Sequence, residues 1–576
     1  MVYLVFFILV VLIYFQTWQF TLGNLDDEIL IINPLPFLQD WKNIPDAFAR
    51  DVFLSRQGSW YRPLQVISFM IDTQFINTGS VYYVTNTLLH FGACCALFYL
   101  LTLVGSDRKG AFIFTLLFLA APLFVSAVAW APGRGDLMIG LTGILSLAFF
   151  IKMLVSGKAK FGVLSLITFT VAVFSKETAV MIPVMLFLYY LAKRKESNLK
   201  PSFGIMIFAG FFLIMLTYFI LRSQVVSTSL IASDFNPINV LHNLRTFPEF
   251  LAKFLIPVEL SPMPAFSLFP TILGMLVFAA LLAGIFRFTP KPYFEGLFGL
   301  IWFIAFTLPG AMFIHKFGTS AYDYLEHRAY LPMAGIMLSL FAIYNGLRTD
   351  KAKTNFNTVM ILYAIILGIY SYVYVRNYKE PMAFYGRALS TNPASAMAHV
   401  NRGFVRINYM NDPQTALMDF NSALGLKPDY ALAYMNKGVV LYKMNEKAAA
   451  IAQYDSAIKY DPTDYQAYFN KALALSGLGY NKEAIAECTR AVKIRPSRAI
   501  IHAVKGAIFL ELDDLPAAQL EISLALRLDP NDALALSRRG LIRYKQNDPE
   551  GACADWSKAA ALNYEEANYF LQTYCR

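Results

Sequence analysis

The sequence predicts an all-α protein in which a polytopic helical membrane domain of about eleven spans precedes an α-solenoid of short helical repeats. Of its 576 residues, 57% are hydrophobic and only 15% are charged, whereas soluble proteins usually contain about 25% charged residues. The composition changes near residue 377. Long apolar runs lie before this point, and a charged, alanine-rich, periodic sequence follows it. We therefore predict two domains, residues 1–377 and 378–576.

The first domain contains the apolar runs that predict membrane spans. A helix needs roughly 20 apolar residues to cross the ~30 Å hydrocarbon layer. The runs are, approximately, 3–22, 82–104, 111–129, 137–155, 159–175, 177–193, 203–221, 268–287, 294–314, 329–347 and 357–376. A tight polar turn at Ser175-Lys176-Glu177 separates the fifth run from the sixth.

Lysine and arginine residues predict the orientation of these spans, because cytoplasmic loops are enriched in them. Alternate loops contain Arg108, Lys109, Lys152, Lys158, Lys160, Lys193, Arg194, Lys195, Lys200, Arg287, Lys291, Arg348, Lys351 and Lys353. The opposite short loops contain only Arg134, Lys176, Lys316 and Arg328. We expect the first set on the cytoplasmic side. An odd span count then places residues after 377 outside.

The second domain is a repeat with a period of 34 or 35 residues. Its markers are Asn392-Pro393, Lys427-Pro428, Asp461-Pro462, Arg495-Pro496 and Asp529-Pro530, with small residues at Gly403, Gly438, Ala472, Gly506 and Gly540. This spacing is typical of tetratricopeptide repeats, in which small residues let two helices approach and a proline ends the second. We predict five repeats over about 393–564, with a lead-in helix before them and a capping helix after them.

Such arrays usually bind a peptide or protein segment on a concave face. Asparagines recur at equivalent positions, Asn401, Asn436 and Asn470, and could clamp a peptide backbone. Lys437, Lys471, Lys505 and Arg539 are further candidates for this face. Taken singly, each of these residues is also explained as part of a solvated helix surface.

Two classes of function are disfavoured by charge and cysteine content. The net charge of +10 comes from many residues in short loops between apolar runs, which disfavours nucleic-acid binding. The five cysteines form no metal-binding pattern. Cys553 and Cys575 flank the last helices of the array, where a disulfide and two unpaired thiols are both open.

Charged residues gather in the loops predicted to lie outside. They occur at Asp26-Asp27, Arg62, Arg134 to Asp136, Lys176-Glu177 and Glu326-His327-Arg328. Charges bordering spans are costly, so several on one face predict a shared polar cavity. The alternatives are that lysine and arginine reach toward lipid headgroups, or that Glu326, His327 and Arg328 pair with Arg134 and Asp136 to hold loops together.

These residues have the chemistry for group transfer from a lipid phosphate to a hydroxyl. Asp26 and Asp27 suit a general base or cation binding, since repulsion between close carboxylates raises one pKa. Cationic side chains that could surround a phosphate are Arg62, Arg134, Lys176, His327 and Arg328. The long outer loop at 222–264 includes an amphipathic stretch, 247–255, that could border the route of a lipid.

The ordered motifs resemble the GT-C superfamily of polytopic, lipid-phosphate-dependent glycosyltransferases. They resemble in particular the branch with tetratricopeptide repeats, which includes the animal TMTC protein O-mannosyltransferases and bacterial relatives. The matching motifs are Asp26-Asp27, Tyr61 to Leu64, Asn86 to His90, Gly133 to Asp136, Ser175 to Glu177 and Glu326 to Pro332. They extend over the membrane domain, and the set is specific to the family but not to a sugar.

The resemblance implies inverting transfer of a sugar, such as mannose, from a polyprenyl-phosphate-linked donor to a hydroxyl, for example Ser or Thr of a protein bound by the repeats. Asp26 or Asp27 would be the base, the five cations above would bind the donor phosphate, and Asp136, Glu177 and Glu326 would support them. Related enzymes with monophosphate donors generally need no metal and those with diphosphate donors use one, so a divalent metal stays open. The last repeat resembles repeats of bacterial proteins, which implies an inner-membrane protein with its site and array in the periplasm.

Two other functions remain open. The acceptor could be a lipid-linked glycan, with the array recruiting partners. A non-enzymatic alternative is a membrane-anchored scaffold for protein assembly, in which the outer motifs are structural ion pairs. In a scaffold, Asp26 and Asp27 should tolerate replacement by Asn without loss of partner binding.

Overall fold

The computed structural model describes residues 1–55, 60–75, 79–226, 238–312, 325–347 and 349–575. The described residues form helices and no β-strand, as the sequence predicts. The chain divides into two compact units, Met1–Ser395 and Ala396–Arg576. The predicted boundary at residue 377 lies earlier, because the helix Pro381–Thr391 belongs to the first unit.

The α-helices of the first unit are α1 Val2–Tyr14, α2 Leu35–Leu38, α3 Ile44–Phe48, α4 Pro63–Thr73, α5 Ser80–Val104, α6 Arg108–Ala120, α7 Val125–Val128, α8 Arg134–Ser156, α9 Ala159–Ser175, α10 Met181–Lys193, α11 Pro201–Val225, α12 Asn239–His242, α13 Thr246–Leu255, α14 Leu268–Phe288, α15 Phe294–Ala311, α16 Tyr330–Asn345, α17 Asp350–Tyr374 and α18 Pro381–Thr391. A π-helical turn covers Glu28–Ile32. The 3₁₀ turns are Phe15–Gln19, Trp41–Asn43, Pro122–Phe124, Ala131–Gly133, Glu177–Val180, Glu326–Ala329 and Val375–Tyr378.

Each predicted apolar run coincides with one of these helices, but not every helix is long enough to cross a membrane. In the part of the chain that the structure describes, seven spans qualify by length and composition: Val2–Gln19, Ser80–Val104, Ala131–Ser156, Pro201–Val225, Leu268–Phe288, Phe294–Ala311 and Asp350–Tyr378. An eighth is possible if Arg108–Ala120 and Pro122–Val128, which meet at 48°, form one broken span.

The other three predicted spans are α9, α10 and α16, which contain 17, 13 and 16 residues. At a rise of 1.5 Å per residue they are about 20 to 26 Å long, so each is shorter than the shortest of the spans counted above, which have 18 residues. By length and composition alone, seven or eight helices of the described residues qualify as full spans, against the eleven predicted. The side of the membrane assigned to each loop depends on this number and stays a prediction.

Helix α8 is largely buried and packs against α5, α9 and α16. Small residues allow these contacts. A Cβ placed on Gly140 would lie 2.4 Å from the ring of Tyr330 on α16. Because α8 begins at Arg134, this packing fixes the first turn of α8, with Arg134 and Asp136, against α4, α5 and α9.

The second unit consists of α-helical hairpins that end in a single helix. Its helices are α19 Ala396–Tyr409, α20 Pro413–Leu426, α21 Ala431–Lys443, α22 Lys447–Tyr460, α23 Tyr465–Ser476, α24 Asn481–Ile494, α25 Ala499–Glu511, α26 Leu515–Leu528, α27 Ala533–Lys545, α28 Pro549–Ala561 and α29 Glu565–Tyr574. The ten helices α19–α28 form five hairpins, and α29 follows them at the position predicted for a capping helix.

The periodic small residues act as the sequence predicts. In the second repeat, a Cβ on Gly438 would lie 2.5 Å from the ring of Tyr454, and in the fifth repeat Gly540 bears the same relation to Trp556. Each glycine on the first helix of a hairpin thus receives a large side chain from the second. Cys553 and Cys575 form a disulfide that joins α28 to the residue after α29, which resolves the alternative left open by the sequence.

Candidate functional site

A polar cavity lies where several of the predicted outer loops meet, and it has a volume of about 760 Å³, including space open to the surroundings. Its charged lining is Arg62, Asp136, Lys176, Glu177 and Arg328. Its polar lining includes Thr178, Asn243, Thr246 and Thr307, and its apolar lining includes Trp60, Ile139, Phe250, Phe306, Leu331 and Pro332. A wall of this mixed character suits an amphiphilic ligand with an anionic group.

Two ion pairs hold two of the three cations that line the polar cavity, Arg62 and Lys176. Arg62 Nε donates to Glu177 Oε2 at 2.8 Å and Nη2 donates to Oε1 at 2.6 Å, a bidentate contact. Lys176 Nζ donates to Asp136 Oδ2 at 2.5 Å. The two pairs join the segment before α4, the start of α8 and the turn after α9. The supporting role of Asp136 and Glu177 stays a prediction.

The segment before α16 adds two further predicted residues. Arg328 lines the polar cavity. His327 is largely buried beside it, with Nε2 at 3.8 Å from Asp136 Oδ2. Among the lining residues, three cations therefore face two carboxylates, and an imidazole lies beside one of these carboxylates. This excess of positive charge favours an anion.

Arg134 does not line the polar cavity, although the sequence groups it with the phosphate-binding cations. Its guanidinium is fully buried and pairs with Asp72 at 2.5 Å. It also donates to Asn86 Oδ1 at 2.9 Å and to the carbonyl oxygens of Ser68 and Tyr82. These contacts join α4, α5 and α8, an arrangement that favours a structural role over binding of the donor phosphate.

The structure distinguishes the two adjacent aspartates. Asp26 is half-buried, whereas Asp27 is fully buried. Asp27 Oδ2 accepts hydrogen bonds from the backbone N–H groups of Gly23 and Asn24 at 3.0 and 2.9 Å, while no described group donates to Oδ1. Burial raises the pKa of Asp27 to about 7, against these two hydrogen bonds and with help from the neighbouring Asp26 and Glu28. This carboxyl exchanges a proton near neutral pH.

Trp130 links the segment with Asp27 to the polar cavity, a role the sequence does not reveal. Its indole N–H donates to the carbonyl oxygen of Asn24 at 3.1 Å. Its ring centroid lies 5.2 Å from that of His327. The signal in the sequence was an aromatic residue four positions before Arg134, but aromatic residues are common throughout this domain.

Glu326 is not among the lining residues of the polar cavity. It pairs with Lys253 on α13, Nζ to Oε1 at 3.0 Å, and both side chains are 1% exposed. Its Oε1 also accepts from the backbone N–H of Ser261 at 3.0 Å. Burial raises the pKa of Glu326, and Lys253 opposes this rise. Glu326 thus anchors the segment that contains His327 and Arg328, through Lys253 rather than the Arg134 or Asp136 that the sequence suggests. Its supporting role in the site stays a prediction.

The amphipathic stretch of the long outer loop forms α13, and α12–α13 lines the polar cavity with Asn243, Thr246 and Phe250. Tyr322 to Tyr324, which adjoin Glu326 in the sequence, lie outside the described residues. His90 on α5 contacts Tyr330 Oη on α16 at 2.6 Å and the carbonyl oxygen of Leu119 on α6 at 3.2 Å, so it joins three helices.

In the array, Asn401 and Asn470 are half-buried and Asn436 is 9% exposed. Their peptide-binding role stays a prediction. Three of the cations predicted for the same face instead form ion pairs within their own repeats: Lys471–Glu487 at 2.9 Å, Lys505–Glu521 at 2.8 Å and Arg539–Asp555 at 2.6 Å. Arg402–Asp419, at 2.7 Å, is the equivalent pair of the first repeat. These cations stabilise the hairpins.

No group of three or more His, Cys, Asp or Glu side chains close enough to hold a metal ion occurs among the residues that the structure describes.

Known proteins are similar to this chain in both the array and the membrane unit. A tetratricopeptide-repeat family model matches residues 409–456 and 437–499. A curated relative, Protein O-mannosyl-transferase F38B6.6 of Caenorhabditis elegans, is 25% identical over 432 residues, which are 70% of this chain. The chain spans 60% of the length of that relative. The match is too long to be confined to the array and therefore includes part of the membrane unit.

Solved structures similar to the chain include repeat proteins. The tetratricopeptide protein YrrB, described as having an unusual peptide-binding site, is 19% identical and covers 33% of this chain and 97% of its own, with a TM-score of 0.28. The type IV pilus biogenesis factor PilW is 23% identical and covers 33% of this chain and 89% of its own, with a TM-score of 0.31.

Proposed function

We propose that the protein is a membrane glycosyltransferase of the GT-C type, which transfers mannose from a polyprenyl-phosphate-linked donor to a hydroxyl group of an acceptor outside the cytoplasm. The observation that supports it most is the pairing of two features in one unit. A buried carboxyl group, that of Asp27, titrates near neutral pH, and a cavity with excess positive charge is linked to it through Trp130.

The amino acids of the site suit each step of this transfer. Asp27 Oδ1 takes the proton of the acceptor hydroxyl, and the hydroxyl oxygen forms a bond to C1 of the sugar. The bond between C1 and the phosphate oxygen breaks on the opposite face, and its electron pair stays on the lipid phosphate. A base with a pKa near the working pH combines a useful ionised fraction with adequate basicity.

Arg62, Lys176 and Arg328 bind the departing phosphate in this proposal. Charge develops on the phosphate as the sugar leaves, and Arg62 and Lys176, which are fixed by ion pairs, stabilise it without reorganisation. The apolar residues Phe250 and Phe306 of the same cavity accommodate the start of the polyprenyl chain. The name of the C. elegans relative supports mannose as the sugar and a protein as the acceptor.

The array would hold the acceptor protein so that a serine or threonine reaches the site. The disulfide between Cys553 and Cys575 supports an oxidising compartment for the array. In a bacterium this compartment is the periplasm, and the membrane domain would lie in the inner membrane.

The test is transfer of label by the purified full-length protein in lipid vesicles, with radiolabelled polyprenyl-phosphate mannose and a periplasmic protein extract. Asp27→Asn removes the base and keeps acceptors for the N–H groups of Gly23 and Asn24. We expect it to lower transfer at least about a hundredfold, the range for loss of a general base. Asp26→Asn is the matched control and should retain most of the transfer.

Label in a lipid-linked glycan instead of protein would identify the other acceptor class. No transfer from mannose or any other polyprenyl-phosphate sugar, with partners still captured by the array, would contradict the proposal and favour the scaffold.

A further inference from the structure

The helix α18, Pro381–Thr391, leads directly into the repeat array but belongs to the first unit. It is preceded by the 3₁₀ turn Val375–Tyr378. Through this turn and three side chains, those of Tyr385, Arg387 and Thr391, α18 contacts both the segment that contains Asp27 and the segment that anchors Glu326. A segment that only linked the array to the membrane unit would not need these two sets of contacts.

The first set of contacts fixes the turn before Asp27. Tyr385 Oη accepts a hydrogen bond from the backbone N–H of Leu25 at 3.1 Å. Asn24 Nδ2 donates to the carbonyl oxygen of Tyr378 at 3.0 Å. Leu25 has φ = 47°, a conformation that non-glycine residues rarely adopt. The hydrogen bond that Tyr385 accepts from Leu25 therefore stabilises an unfavourable backbone geometry two residues before the proposed base.

The second set of contacts reaches the other half of the site. Arg387 Nε donates to the carbonyl oxygen of Leu260 at 3.0 Å, and Thr391 Oγ1 donates to Ser261 Oγ at 2.7 Å. The N–H of Ser261 in turn donates to Glu326 Oε1. Glu326 immediately precedes His327 and Arg328, so Arg387 acts on the phosphate-binding side through two backbone segments.

We propose that Tyr385 and Arg387 are positioning residues: Tyr385 orients the turn that presents Asp27, and Arg387 orients the segment that presents His327 and Arg328. The proposal rests on the proposed function for what these segments do. The contacts that support it hold independently of that function. The helix that introduces the array is then an integral part of the catalytic unit.

Hydrogen–deuterium exchange on the full-length protein in lipid vesicles tests the positioning directly. Tyr385→Phe removes the acceptor of the Leu25 N–H, so the Leu25 amide should exchange about tenfold faster. Arg387→Ala should have an effect of similar size on the amides of Ser261 and residues 326–329. The matched controls are Tyr480→Phe, an exposed tyrosine of the array, and Lys379→Ala, an exposed lysine just before α18.

The transfer assay then separates positioning from a general loss of structure. The charged and titratable groups that act on Asp27 are Asp26 and Glu28 of its own segment, Tyr83 of α5 and Tyr385. Tyr385→Phe should therefore shift the pH midpoint of the transfer rate and lower kcat. Arg387→Ala should mainly raise KM for the sugar donor. Arg387→Lys retains a hydrogen-bond donor and should reverse part of that rise.

Unchanged exchange at Leu25 in Tyr385→Phe, or at Ser261 in Arg387→Ala, would overturn the corresponding assignment. So would faster exchange throughout the first unit, which would indicate loss of the fold. Absence of transfer by the unaltered protein would refute the proposed function alone, because the exchange measurements decide the positioning without it.

Discussion

The indole N–H of Trp130 donates to the carbonyl oxygen of Asn24 at 3.1 Å. Asn24 supplies one of the two N–H groups bonded to Asp27 Oδ2, and the ring of Trp130 lies against that of His327. One side chain thus joins the proposed base to the proposed phosphate-binding cluster. Removal of the Trp130 side chain should disturb the geometry of the base and of the cluster, while the residues of both remain present.

We expect Trp130→Phe to lower the transfer rate roughly ten- to hundredfold, because the base is displaced from its working position. The ring against His327 is retained, and the loss of one hydrogen bond should cost only about 1 kcal/mol of stability. Initial rates and thermal unfolding measure the two effects. Trp18→Phe is the control, since the Trp18 indole N–H donates to Thr87 Oγ1 at 3.5 Å, and neither residue lines the polar cavity. Equal rate losses in both variants would contradict the linking role.

The buried pair Lys176–Asp136 separates stability from function. Lys176→Met leaves Asp136 buried without its partner, which should cost about 3–5 kcal/mol of unfolding free energy. In the double variant Lys176→Met/Asp136→Leu two apolar groups replace the pair, and much of that stability should return. Donor binding should not return, because the cation is gone. Recovery of donor binding in the double variant would show that Lys176 is structural only.

Arg134 should behave in the opposite way. Arg134→Lys loses the planar fork that holds Asp72, Asn86 and two carbonyl oxygens, so we expect a loss of about 3 kcal/mol of stability. KM for the donor should be unchanged in the folded fraction. Arg62→Lys alters a cation that lines the polar cavity and is the matched comparison. It should raise KM for the donor. A raised donor KM with unaltered stability in Arg134→Lys would restore Arg134 to the phosphate-binding group.

These contrasting expectations for Arg134 and Arg62 show where the sequence stops being informative. Hydropathy locates every apolar helix of the first unit, and the 34-residue period locates the repeats, because both depend on local patterns. The close approach of the predicted outer loops also follows from the membrane side predicted for each loop. The direction in which a particular arginine side chain points does not follow from such patterns. Arg134 pairs with Asp72, more than sixty positions away, through packing of α4, α5 and α8 that no local pattern encodes.

Glu326 and Trp130 illustrate the same limit. Glu326 appears beside His327 and Arg328 in the sequence, yet a 3₁₀ turn directs it to Lys253 on α13, and it does not line the polar cavity. The predicted boundary at 377 followed the change in composition. The structure places it at 395, since Tyr385 and Arg387 make their contacts within the first unit.

The second repeat lacks one ion pair of the array. Gln453 occupies the position held by Asp419, Glu487, Glu521 and Asp555 in the other repeats, and among the described residues Lys437 forms no ion pair there. Gln453→Glu should therefore stabilise the array by less than about 1 kcal/mol, typical of a partly exposed pair. Chemical unfolding measures this gain. The gain should vanish in Lys437→Met/Gln453→Glu; an equal gain there would mean that the pair is not its cause.

The pH dependence of kcat/KM for transfer tests the central claim most directly. Asp27 is active as a carboxylate, and its pKa is raised to about 7 by burial. The rate should be maximal above pH 7 and should fall tenfold per pH unit as the pH decreases below it, with the same profile in Asp26→Asn and residual, pH-independent transfer in Asp27→Asn. A rate that stays constant between pH 5 and pH 8, or full activity in Asp27→Asn, would contradict Asp27 as the base.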